Sequence, residues 1–90
     1  MSKLNNTIPV AHLNIRGAAL LVAFPDPDEV KNYAALQTAA ERAGFAGELA
    51  LVWEDPQGRT RFIAPPQQHP FFQVVNHAQL RAQVNGILQL

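Results

Sequence analysis

Leu49-Ala50-Leu51-Val52-Trp53-Glu54-Asp55-Pro56-Gln57-Gly58-Arg59-Thr60-Arg61-Phe62-Ile63-Ala64 reads as two short strands joined by a turn. Pro56 supplies the fixed φ that suits the second position of a type I turn. Gly58 supplies the positive φ that closes such a turn into a bulged hairpin. This register sets Trp53 opposite Arg61 and Leu51 opposite Ile63 on one face. On the other face Val52 lies opposite Phe62, and Ala50 opposite Ala64. Both faces are apolar, with polarity confined to the turn. A strand with one wet face alternates; these two do not, so both faces of the hairpin are expected to be covered.

Two coverings are possible. A second copy of the chain can take one face, or the chain's own helices can lie on opposite sides of the sheet. Charged residues make up only 16% of the sequence, and seven basic residues balance seven acidic ones. A weakly charged surface of zero net charge repels its own copies poorly. The expected role is therefore a small, non-enzymatic interaction or accessory domain that pairs with itself as a homodimer. Leu51, Trp53, Phe62, Ile63, Phe71 and Phe72 are its candidate interface residues.

Upstream, Ala18 to Phe24 is an unbroken apolar run between Gly17 and Pro25, which suits a buried strand. Ile8 to Ile15 alternates loosely and contains Pro9, which points to an edge strand. Asp26-Pro27-Asp28-Glu29 is a helix start: Asp26 caps, Pro27 takes the first helical position and Glu29 completes a capping box. The helix is predicted from Pro27 to about Ala43, with Gly44 as its left-handed terminator and Phe45 folding back on Ala40. Pro65 to Pro70 is a stiff loop. Phe71 to Val75 reads as a short strand or a packed turn. Asn76 and Gln79 form a second capping box, which predicts a last helix from His77 to about Leu88.

The sum is one α+β domain over residues 8–90, preceded by a flexible start over 1–7. It has a small mixed or antiparallel sheet of three to five strands with two helices. The chain holds no cysteine, which excludes disulfides and thiol chemistry and suits a cytoplasmic setting. Its longest apolar run is too short to span a bilayer, so no membrane is expected.

Catalytic, cofactor and metal residues are not expected. His12, His69 and His77 fall in three separate segments without metal-ligand spacing. The acidic cluster Asp26, Asp28 and Glu29 is explained by capping. Ser2, the one serine, lies in the start of the chain, and no phosphate-binding glycine motif occurs. The alternative role is RNA or single-stranded nucleic-acid binding on the hairpin surface, through Trp53, Arg59 and Arg61. The neutral charge balance argues against duplex nucleic acid as the main partner, and nucleic acid is not the expected partner.

Overall fold

The computed structural model describes residues 7–89. Strand β1 (Thr7–Ile15) turns back into β2 (Ala18–Ala23). A 3₁₀ segment over Pro27–Asn32 leads into helix α1 (Tyr33–Arg42), and the chain returns in β3 (Glu48–Glu54). β4 (Thr60–Ile63) completes the hairpin. A 3₁₀ turn over Pro66–Gln68 continues into α2 (His69–Val74), and α3 (His77–Arg81) and β5 (Gly86–Gln89) follow. The five strands form one mixed sheet in the order β4-β3-β2-β1-β5; only β2 and β3 run parallel, with α1 as their crossover. The α+β class thus stands, with the sheet at five strands.

The local signals behave as their chemistry requires. The Asp26 backbone N–H donates to Glu29 Oε1 at 3.0 Å, and the Asp26 side chain accepts from the third helical amide, completing the capping box. The first turns tighten to 3₁₀ before the α-helix proper begins at Tyr33. At the other end Gly44 has φ +89, and the Phe45 amide bonds back to the Ala40 carbonyl at 3.1 Å, as a glycine-terminated helix does. In the hairpin turn Gly58 has φ +81, and its N–H donates to the Asp55 carbonyl at 2.8 Å. The pairs Leu51–Ile63, Val52–Phe62 and Trp53–Arg61 follow the register read from the turn.

Three expectations are corrected. Phe71 to Val75 is not a strand: Pro70 lies in the first turn of α2, where a missing N–H costs nothing, and Phe71 to Val74 continue the helix. The last helix stops at Arg81, and the segment expected to be its final turns is β5. Asn85 makes that switch possible. Its N–H donates to the Val10 carbonyl at 3.0 Å and its side chain accepts from the His12 N–H at 3.1 Å, so it starts the β1–β5 ladder. β1 is consequently an interior strand, not an edge. Pro9 is tolerated because the N–H it lacks would face the carbonyl of Phe24, one residue past the last β1–β2 pair, so no bond within the paired stretch is lost. Residues 1–6 of the expected flexible start lie outside the described residues; Thr7 opens β1.

The sheet is roofed on both sides. On one face Leu36, Ala39 and Ala40 of α1 meet Val10, Leu21, Leu49 and Leu51. On the other, Phe72 of α2 and Leu80 of α3 meet Leu20, Val22, Ala50 and Val52. This arrangement is the second of the two coverings above, and it accounts for the two-sided apolarity of β3 within one chain. Gly47 brings β3 in tightly: a Cβ there would fall 2.5 Å from the Ala19 carbonyl oxygen.

Candidate interaction edge

β4 is built from only four residues and lies outside the footprint of α1. The buried cluster under that helix draws on β1, β2, β3 and β5, and on no residue of β4. Leu51 of β3 is fully buried, whereas Ile63, directly opposite it on the same face, is 40% exposed. A groove of about 330 Å³ separates α1 from β4. Tyr33, Gln37, Glu41, Phe45, Glu48 and Ile63 are among its walls.

The outer edge of β4 also carries main-chain groups. The Asp55 N–H bonds to the Arg59 carbonyl at 2.9 Å, which fixes the parity of the antiparallel ladder. Arg61 and Ile63 therefore direct their backbone groups toward β3, and Thr60 and Phe62 direct theirs away from it. One end of this edge is closed off. His69 Nε2 donates to the Ala64 carbonyl at 2.9 Å, and its ring meets Phe62 edge-on at a centroid distance of 5.3 Å.

The turn feeding β4 is organised by Asp55. Its Oδ1 accepts the backbone N–H of Gln57 at 3.0 Å and of Arg59 at 2.9 Å. Its Oδ2 faces the Nε atoms of Arg59 at 3.4 Å and Arg61 at 3.1 Å. The carboxyl is held below its ordinary 3.8, chiefly by the Arg59 backbone bond. Partial burial opposes this, while the Gln57 bond and the two arginine charges add to it.

The six candidate interface residues separate into two groups. Leu51, Trp53 and Ile63 belong to the α1 face, and Phe62, Phe71 and Phe72 to the α2–α3 face. Leu51 and Phe72 are core residues with almost no surface. Phe72 stacks on Phe62 at 5.4 Å and meets Phe71 edge-on at 5.1 Å. Trp53 is half-buried against the α1-side core. Of the six, Ile63 is the one that presents an exposed side chain.

The alternative surface of Trp53, Arg59 and Arg61 comes together at the turn, but its two cations share the Asp55 carboxylate. The cation–π contact among the described residues is Arg81 over Phe24, at 5.7 Å. The histidines stay apart: His12 lies against Phe45, His77 against Phe24 and His69 against Phe62. No group of potential metal ligands forms among the described residues. No described helix is long and apolar enough to cross a membrane.

Sequence reasoning missed His69 as the cap of the β4 edge. Its position after a proline-rich loop gave no sign of a reach back to Ala64. Comparison with protein-family models, with curated proteins and with solved structures returned no match.

Proposed function

We propose that the chain is a non-enzymatic interaction domain that binds a second copy of itself through the outer edge of β4. The observation that carries this reading is Ile63, exposed beside an open groove on a strand whose Thr60 and Phe62 amides and carbonyls face outward. A free sheet edge is a template for another strand.

Antiparallel pairing about a two-fold axis at Phe62 sets Phe62 against its own counterpart. It sets Arg61 of the second copy opposite Ile63, Thr60 opposite Ala64 and Arg59 opposite Pro65 (each pair sums to twice 62). Residues facing each other across such a pair share a face of the sheet. The two arginines of the second copy thus arrive on the side where Glu41 and Glu48 line the groove. That charge complementarity favours a second copy as the occupant. The Ala64 carbonyl has a second lone pair, so the His69 bond need not be lost.

The same geometry speaks for a binding role over a catalytic one. Asp55 is committed to two amides and two arginines, and each histidine is packed against an aromatic ring. Nucleic-acid binding is less well supported, because two arginines sharing the one Asp55 carboxylate leave a single net positive charge there, enough to meet a carboxylate but too little for a phosphate backbone. A cytoplasmic setting, which the cysteine-free sequence suits, belongs to the same reading.

An edge of four residues makes a small interface, so the pairing is transient and concentration-dependent. Light scattering between about 10 μM and about 1 mM should show the mass rising toward that of a dimer. Ile63→Lys keeps the monomer folded, since the side chain reaches solvent beside Glu48, but places a cation opposite Arg61 of the second copy. It should remain monomeric across the range. A native chain that stays monomeric at the highest concentration refutes the proposal.

A further inference from the structure

We infer that a cleft on the α2 side of the sheet, at the β1–β2 turn, binds a small carboxylate with an apolar tail. The site is independent of pairing at β4. The cleft has a volume of about 240 Å³ and lies between Ile15 and Arg16 on one side and Gln68, Pro70, Phe71 and Val74 on the other.

Gln68 is the first observation. It is 5% exposed, the one polar residue buried to that degree among the described residues. Its side chain makes no hydrogen bond within the described chain. Neither of its amide atoms is sealed from the surface without a partner, since the one such side-chain atom in the described residues is Asp55 Oδ2. Gln68 is also one of the residues that line the cleft. A residue this deeply buried whose amide has no partner in the protein leaves its donors and acceptor to water or to a ligand.

Arg16 is the second, independent observation. The β1–β2 hairpin closes with positive φ at both central residues, Arg16 at 55 and Gly17 at 82. This two-residue turn normally takes Asn, Asp or Gly at its first central position, because a larger side chain is strained in the left-handed region. The turn makes no use of the guanidinium: its side-chain bond runs from the Gly17 N–H to Asn14 Oδ1 at 3.0 Å. Arg16 forms no ion pair among the described residues. A strained, unpaired cation at the mouth of an apolar cleft is an arrangement that local folding does not explain.

The remaining walls supply the tail's environment. Phe71 and Ile15 are half-buried, and Val74 is 80% exposed. The guanidinium offers paired N–H donors to a carboxylate, and the Gln68 amide NH₂ offers another. Pro70, Phe71 and Val74 take a chain of a few carbons.

The test uses hexanoate as the probe at neutral pH, with acetate and 1-hexanol as controls, read by titration of ¹⁵N-labelled protein. Hexanoate should shift the Gln68 side-chain amide and the Gly17 backbone amide saturably. Acetate and hexanol should each bind about tenfold or more weakly, because each lacks one half of the recognition. Arg16→Gly relaxes the turn, so it should fold at least as well as the native chain while weakening hexanoate about tenfold or more. Gln68→Leu fills the same space without a donor and should weaken it as well. The inference is overturned if hexanoate leaves both resonances unmoved, if hexanol binds as well as hexanoate, or if Arg16→Gly binds hexanoate unchanged.

Discussion

β3 and β4 are halves of one hairpin, yet their apolar residues end in opposite states. Leu49 to Val52 of β3 are buried on both faces, whereas β4 alternates between half-buried and exposed residues. Leu51 and Ile63 bring the contrast to one pair: same face, opposite each other, one fully buried and one 40% exposed. The difference comes from position under the roof. α1 covers β3 and stops short of β4, so an apolar residue is buried or exposed according to which strand carries it.

Truncating the two members of that pair should break the symmetry most sharply. Leu51→Ala leaves a cavity beneath α1 and should lower stability by about 2–5 kcal/mol, while Ile63→Ala should cost less than about 1.5 kcal/mol. Chemical denaturation of both variants checks this, and equal losses would mean that β4 is as well covered as β3. A smaller loss is expected where β3 enters the sheet. Gly47→Ala drives a Cβ into the Ala19 carbonyl and should cost about 1–3 kcal/mol by the same measurement.

The roof on the second face can be loosened through its cap. Asn76 Oδ1 accepts the Gln79 N–H at 2.8 Å, and Gln79 Oε1 accepts the Asn76 N–H at 3.0 Å. Asn76→Ala should cost about 1 kcal/mol, with faster amide exchange in α3 than in α1. The last test concerns the turn that anchors β4. The Asp55 carboxyl sits below 3.8 in the folded state, so its contribution is fully present above that value and is lost as pH falls through the folded pKa. Asp55→Asn should be less stable than the native chain at neutral pH, and the gap should close on acidification. Urea midpoints at neutral and strongly acidic pH measure it; a gap that widens in acid would contradict the assignment.

The hairpin was readable because its signals are local. Asp55-Pro56-Gln57-Gly58 sets turn and register without help from the rest of the chain, and Asp26 and Gly44 do the same for the α1 segment. β5 was not readable. Gly86 to Gln89 is four residues long and becomes a strand only by pairing with β1 at the far end of the sequence. Phe71 to Val74 favours a strand by composition, but Pro70 and the burial of Phe72 against Phe62 hold it in a helix. The candidate edge was half readable. Alternation placed Ile63 and Phe62 on opposite faces, but it could not say which strand the helices leave uncovered. Gln68 and Arg16 line one cleft only because the chain around α2 returns to the β1–β2 turn, and no periodicity encodes that.

The neighbour that makes β1 an interior strand is the final described element of the chain. During synthesis β1 must wait, its outer side unpaired, until residues 16–85 and then β5 itself have been added. Until β5 docks, the nascent domain carries a long, apolar, unsatisfied strand ready to bind whatever extended chain it meets. The window for misassembly is thus set by translation speed, and slowing elongation near residue 80 should lengthen it.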